Sequence, residues 1–195
     1  MRSYNKITLT CIGVGMLLAF SVGAQTTNTP ATIIEKLEQQ TGTVIVKGYS
    51  VVGNISIGNA TIIVRNKVSS DVGHGRIAYG IAVGFSGSSA ASGSQPDSLI
   101  PKQILVVDGD ELDSLVNSMD YIEKITCDVT PLTGFEASYA TRSGLRFIAH
   151  SDRRQGGIQM FIQFGDTSRI QLNSTQLTLL RNLITQAKAA LDVIK

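Results

Sequence analysis

The segment that most constrains the fold is residues 169–195, where a short strand runs directly into a long helix. Asn173 can cap this helix, and Gln176 can complete a capping box with it. Apolar residues recur three and four positions apart, which aligns them along one side of an α-helix: Leu177, Leu180, Ile184, Ala187, Leu191 and Ile194. This stripe has to be covered. Because it is shorter than about three heptads, we expect it to pack within the chain rather than on a copy of itself.

The same pattern occurs upstream, in residues 105–122. There Asp108 matches Asn173 and Glu111 matches Gln176. We therefore expect Asp108 to cap a second long helix and Glu111 to complete its capping box. The apolar side of this helix comprises Leu112, Leu115 and Met119. The recurrence indicates two halves of similar organisation.

Eight segments are predicted to be β-strands, and the first three are rich in β-branched residues and bounded by turn-forming residues. Four precede the first long helix, at residues 43–52, 60–68, 76–86 and 102–107. Four precede the second, at residues 135–141, 145–150, 157–164 and 169–172. The predicted fold class is therefore α+β, with two β-β-β-β-α halves whose antiparallel sheets pack against two long helices in one compact domain. The halves span residues 43–125 and 126–195.

Residues 1–24 have the pattern of a secretory signal peptide. Arg2 and Lys6 precede an apolar run over residues 7–20, and small residues then lead to a cleavage position after Ala24. The run is shorter than the roughly 18 to 20 residues of a membrane span, which favours a cleaved signal over an anchor. We expect a secreted or periplasmic protein with no transmembrane span after cleavage.

Residues 25–42 form a predicted N-terminal arm that contains a short helix. Thr29 can cap this helix, with Pro30 as its first residue. Its apolar side would comprise Ile33, Ile34 and Leu37. We expect the arm to pack on the body of the protein.

The charge balance counts against a nucleic-acid partner. The chain has 17 basic and 15 acidic residues, and loss of Arg2 and Lys6 with the signal peptide leaves 15 of each. Nucleic-acid binders normally carry a basic excess that displaces counterions. Cys11 would be lost as well, so Cys127 would be the single cysteine and no internal disulfide could form. Stability then has to come from the core.

The order of strands and helices resembles the doubled β-β-β-β-α layout of the Whirly and PUR single-strand-binding proteins. The resemblance is one of architecture, without a family motif in the chain, and architecture does not decide function. The nucleic-acid role that the resemblance implies runs against the predicted export and the balanced charge. We therefore assign no family.

The predicted strand at residues 76–86 has one bulky face and one flat face. The bulky face comprises Ile77, Tyr79, Ile81, Val83 and Phe85, and the flat face comprises Ala78, Gly80, Ala82 and Gly84. A flat face of small residues indicates that another element packs closely against the backbone. The less favoured alternative is that a ligand lies there.

A group of carboxylates raises the question of a metal site: Asp108, Asp110, Glu111 and Asp113. Hard cations take several oxygen ligands, but the sixth-position glycine and twelfth-position glutamate of an EF-hand loop are absent. A helix start explains the group without an ion, because acidic side chains stabilise the positive end of the helix dipole. We predict no metal site and no cofactor.

No pattern in the sequence indicates catalytic residues. His74 and His150 lack the spacing of a zinc site. Cys127 could pair with His150 as nucleophile and base, but the neighbouring Asp128 would oppose thiolate formation.

The candidate ligand-binding residues are Arg146, His150 and Phe161. Alternation places Arg146 and His150 on one face of their strand, and the final helix is expected to cover the other face. With Phe161 on the next strand, they could bind an anionic or aromatic ligand, or a partner, by charge-assisted hydrogen bonds and stacking. In the favoured alternative, Ile148 and Phe161 are buried against the first half while Arg146 and His150 only reach the edge.

Together these patterns predict an exported, non-enzymatic binding or protein-interaction module. It would act as a monomer or weak homo-oligomer on an unknown protein or small-molecule ligand. The alternative is a small secreted hydrolase or metal-dependent enzyme that uses His150 or the region of Asp108, Asp110 and Glu111.

Overall fold

The computed structural model describes residues 32–87, 102–152, 157–166 and 168–195. The predicted signal peptide, most of the serine-rich segment 87–98 and the turn at 153–156 lie outside the described residues. The helices are α1 (Ile33–Glu38), α2 (Leu112–Lys124) and α3 (Ser174–Ile194), with a 3₁₀ turn at Cys127–Val129. The strands are β1 (Ile45–Ile57), β2 (Ala60–Asp71), β3 (Arg76–Gly87), β4 (Gln103–Asp108), β5 (Gly134–Ala140), β6 (Leu145–Asp152), β7 (Gly157–Phe164) and β8 (Ser168–Leu172).

The strands form two four-stranded antiparallel sheets, each in sequential order: β1-β2-β3-β4 and β5-β6-β7-β8. Together with the helices they confirm the predicted α+β class. The pairing of β1 with β2 shifts between Val51 and Gly53, where β1 has a bulge. A Cβ atom at Gly53 would lie 2.6 Å from Leu183 Cδ2, so the glycine allows α3 to approach the sheet closely.

Each long helix lies mainly on the sheet of the other half. Helix α3 packs across β1, β2 and β3, whereas α2 packs on β5 and β6, and the two helices contact each other. One apolar cluster contains residues of both sheets and both helices. The expectation that the final helix covers β6 and β7 is therefore wrong, because α3 lies on the first sheet and α2 lies on the second. Periodicity shows that a face must be covered, but it does not show by which helix.

Helix α3 begins as its sequence predicts. Asn173 Oδ1 accepts a hydrogen bond from Gln176 N at 2.8 Å, and Gln176 Oε1 accepts one from Asn173 N at 2.9 Å. The predicted stripe is buried from Leu177 to Leu191, but Ile194 in the last turn is exposed. No helix in the described part of the chain combines the length and the hydropathy that a membrane crossing needs.

Helix α1 packs on the body as predicted, but it begins later than expected. Its N-cap is Thr32, which forms a capping box with Glu35. The predicted cap Thr29 and first residue Pro30 lie outside the described residues. Ile34 and Leu37 are buried against Ala78 and Val106. Ile33, which we expected on the same apolar side, is exposed.

Candidate functional site

Asp108 does not cap α2, which corrects the expectation from its sequence pattern. The N-cap of α2 is Glu111, and its side chain makes no capping hydrogen bond. Asp108 is 1% exposed and accepts hydrogen bonds from the backbone N–H groups of Ile33 at 2.6 Å and Ile34 at 3.1 Å. The carboxylate therefore stabilises the start of α1, and this tertiary contact takes it away from its own helix.

The acidic group surrounds an arginine from the second half. Arg142 Nη1 lies 2.9 Å from Asp108 Oδ2, and Arg142 Nη2 lies 2.5 Å from Asp110 Oδ2. The backbone N–H of Arg142 donates to Glu111 Oε1 at 2.9 Å. The hydrogen bond to Asp110 raises the pKa of Arg142 despite partial burial. Although oxygens of Asp108, Asp110 and Glu111 lie within 4.8 Å of one another, a metal ion would compete with this guanidinium.

The other residues considered for catalysis lie at separate places. His74 Nδ1 is 2.8 Å from Asp71 Oδ2 in the β2–β3 turn. A hydrogen bond from Thr43 holds the pKa of Asp71 well below its usual range, and Arg76 and His74 lower it further. Burial alone would raise this pKa. Cys127 Sγ lies 3.5 Å from Ser151 Oγ. Because adjacent strand residues point to opposite faces, Ser151 and His150 project from opposite sides of β6, which separates the thiol from the imidazole.

The predicted ligand-binding residues share the outer face of the second sheet, the face turned away from the helices. Ile148, between Arg146 and His150 on β6, is paired with Phe161 on β7. Arg146 is exposed, and His150 and Phe161 are half-buried. Arg169 from β8 lies over the Phe161 ring, with Cζ 3.9 Å from the ring centroid. Sequence reasoning missed this cation–π contact, which occupies one face of the ring. Ligand binding by this face stays a prediction.

A cavity of about 360 Å³ lies on the outer face of the first sheet, beside α1. Its lining residues come from all four strands and from the helix: Glu35, Glu38, Tyr49, Arg65, Lys67, Ala82, Gly84, Ile104 and Val106. The volume is within the range of small-molecule sites in proteins. We call this space the outer-face cavity.

The flat face of β3 provides both the seat of α1 and the floor of the outer-face cavity. A Cβ atom at Gly80 would lie 2.3 Å from the backbone oxygen of Val107 and 2.8 Å from Ile34 Cδ1. The prediction of close packing is thus confirmed for this end of the strand, where Ala78 also contacts α1. At the other end, Ala82 and Gly84 line the cavity. Small side chains there leave open space next to the backbone.

Glu38 connects α1 to the sheet along one wall of the cavity. Its carboxylate lies 2.8 Å from Lys47 Nζ, 2.8 Å from Lys67 Nζ and 2.5 Å from Ser69 Oγ. Burial alone would raise the pKa of Glu38, but hydrogen bonds from Lys47, Lys67 and Ser69 lower it to about 2. Lys67 is only 6% exposed, and its ammonium lies 5.6 Å from the centroid of the Tyr49 ring. This wall is an ion-pair network in which one carboxylate is shared by two ammonium groups.

Arg65 is the exception among the charged residues of the cavity. Its Nε atom is buried and has no hydrogen-bond partner, and Arg65 makes no ion pair with another residue in the described ranges. Sequence reasoning missed Arg65, Lys67 and Glu38. The available signal was two cations at alternate positions of β2, after its apolar run from Ile62 to Val64. Both lie on the sheet face that includes the flat face of β3.

A second cavity, of about 280 Å³, lies between α2 and β5. Its lining residues are Asn117, Ser118, Tyr121, Ile122, Ala137, Ser138 and Tyr139. Burial, together with the nearby charge of Glu111, raises the pKa of Tyr139, so its hydroxyl stays protonated. This cavity has no ionised side chain in its lining, and the outer-face cavity is therefore the stronger candidate.

The fold and these contacts define an α+β protein in which two antiparallel sheets share two helices and one sheet has a partly charged cavity on its outer face. The chain matches no protein-family model, no curated protein and no solved structure. The resemblance to the Whirly and PUR layout therefore remains one of element order.

Proposed function

We propose that the protein is an exported, non-enzymatic binding module that holds a small molecule in the outer-face cavity. The observation that carries the proposal is Arg65, a cation that lines a concave space of about 360 Å³ and makes no ion pair with another described residue. Leaving a buried donor unsatisfied costs free energy, so such groups are expected to have a role or an additional partner. A ligand in the cavity would pair with the part of the guanidinium that lines it.

The surroundings of the cavity favour binding over chemistry. The nearby carboxylate of Glu38 is held by Lys47, Lys67 and Ser69, and its lowered pKa keeps it ionised at neutral pH. A general acid or base needs a pKa near the working pH. The acidic group around Arg142, which the enzyme alternative would use, belongs to the junction of the two halves. Export is supported by the sequence pattern of residues 1–24.

The proposal can be tested with a fragment library of neutral, acidic and basic small molecules. We expect at least one fragment to raise the melting temperature of the purified protein and to shift the amide NMR signals of Ala82, Gly84 and Ile104. Ligand binding to the native state stabilises it by mass action. Ala82→Leu, which adds bulk to the cavity floor, should abolish both effects.

Ala140→Leu is the matched control, because it adds the same bulk at an exposed position on the edge strand of the other sheet. This variant should respond like the wild type. If fragments bind Ala82→Leu as they bind the wild type, the cavity is not the site. If no fragment perturbs the cavity signals of a protein that unfolds cooperatively, the proposed function is wrong.

A further inference from the structure

The cavity has one positive charge that the described protein residues do not neutralise. In the register of the first sheet, Arg65 pairs with Val51 on β1 and with Ala82 on β3, which places it over the cavity floor. A guanidinium carries five N–H donors in a planar fork and stays protonated. Nε is buried without a hydrogen-bond partner among the described residues, so a ligand in the cavity would contact the outer part of the fork.

The two carboxylates that line the cavity are engaged elsewhere. Glu38 accepts from two lysines and a serine, as described above. Glu35 Oε2 accepts from the backbone N–H of Thr32 at 3.0 Å in the capping box of α1. Lys67 is ion-paired with Glu38. Arg65 therefore remains the cationic group that is available to a ligand.

The rest of the lining sets the shape and polarity of the ligand. Tyr49, Ile104 and Val106 provide aromatic and aliphatic surface, and Ala82 and Gly84 leave the floor open. An apolar body fits these walls, and a planar anionic group fits the guanidinium, because arginine binds carboxylates through two parallel hydrogen bonds. Glu35 and Glu38 would repel a dianionic phosphate more strongly than a single carboxylate.

We infer that the outer-face cavity binds a small molecule with one carboxylate and an apolar body, and that the carboxylate pairs with Arg65. This inference rests on the proposed function and adds the chemical class of the ligand. It also assigns Arg65 as the residue that determines the charge of the ligand.

Matched pairs of probes test the inference by isothermal titration calorimetry. The acids are benzoate and hexanoate, the neutral counterparts are benzamide and hexanamide, and inorganic phosphate is the third arm. We expect each acid to bind the wild type roughly tenfold or more tightly than its amide, because a charge-assisted pair is stronger than a neutral hydrogen bond. Arg65→Gln should remove that difference. Arg65→Lys should retain part of it, since an ammonium provides the charge without the fork.

Lys124→Gln provides the control. It neutralises an exposed cation at the end of α2, outside the residues that line the cavity, and should keep the full preference for acids. Arg65→Gln should also melt no earlier than the wild type, because Arg65 has no ion pair to lose within the described residues. Cooperative melting of either Arg65 variant shows that it is folded.

Several results would overturn the carboxylate inference: amides that bind as tightly as acids, phosphate that binds more tightly than either acid, absence of acid binding, or an acid preference that survives Arg65→Gln. Loss of the preference in Lys124→Gln would show that it does not come from Arg65. If neutral fragments still occupy the cavity in these cases, the proposed function stands without the carboxylate. If no probe of any class perturbs the cavity, both proposals fall.

Discussion

The strand–helix junctions of the two halves have the same sequence pattern but different partners. In the second half, Asn173 and Gln176 form a local capping box at the start of α3. In the first half, Asp108 bonds to α1 and Arg142, and Glu111 also bonds to Arg142. A carboxylate forms charge-assisted hydrogen bonds with a distant cation and with two free N–H groups. These bonds are stronger than the neutral hydrogen bonds that an amide would form with the same groups.

This difference links the first junction to the outer-face cavity. Asp108 fixes the start of α1, and the same short helix carries Glu35 and Glu38 into the cavity wall. The second junction has no such link to the cavity, because the described hydrogen bonds of Asn173 are made only with Gln176 in the first turn of α3. Changes at the first junction should therefore affect both stability and ligand binding, and changes at the second should affect stability alone.

Asp108→Asn should have the largest effect on the free energy of unfolding. It removes a buried charge that pairs with Arg142 and binds two N–H groups, and we expect a loss of about 4 kcal/mol. Urea unfolding measures the loss. The control is Asp110→Asn, which removes a 54% exposed carboxylate from the same guanidinium and should cost less than about 1 kcal/mol. Equal losses in the two variants would show that Asp108 has no special role.

Glu38→Gln should be the next most destabilising change, at about 3 kcal/mol, because it leaves the buried Lys67 without a counter-charge. The pH dependence gives a second readout. The folded-state pKa of Glu38 is about 2, below its ordinary value of 4.5, so its contribution is complete above pH 4.5 and is lost as the pH falls towards 2. The difference in stability between wild type and variant should shrink across that window. A difference that is constant from pH 5 to pH 2 would contradict the ion-pair assignment.

Gly80→Ala should cost about 2 kcal/mol, because its Cβ would meet the backbone oxygen of Val107 and force β4 or α1 to move. Gly48→Ala is the control, since its nearest neighbour would lie at 3.9 Å. We expect Gly80→Ala, and not Gly48→Ala, to weaken fragment binding in the cavity as well. Thermal melts and the NMR titration described above measure both effects. If Gly80→Ala changed neither the melting temperature nor fragment binding, α1 would not be packed closely on β3.

Asn173→Ala should have the smallest effect, a loss of about 1 kcal/mol from the local cap. Fragment binding in the outer-face cavity should be unchanged, because α1 and its contacts are untouched. Chemical denaturation and the same NMR titration provide the comparison. If this variant weakened binding as much as Asp108→Asn does, the two junctions would not differ in the way proposed.

Part of the candidate site could be predicted from sequence, and part could not. Alternation in β3 indicated a flat face with a close neighbour, and α1 is that neighbour at Ala78 and Gly80. It could not indicate that α1 is too short to cover Ala82 and Gly84. Nor could it show that Glu38 would be engaged by Lys67 while Arg65 stayed unpaired, because that depends on which side chains meet across four strands and a helix.

The sequence by itself determined the features that arise from local physics. The α+β class, the sequential strands and the capping box of α3 follow from periodicity, β-propensity and hydrogen bonding within a few residues. Only the tertiary structure decided that each long helix would cover the other half's sheet. It also decided that Asp108 would bond to α1 and Arg142 instead of capping α2. These choices depend on contacts between residues far apart in the chain. Local patterns indicate which apolar faces and polar side chains need a contact, and the packing of the whole chain determines which residues provide it.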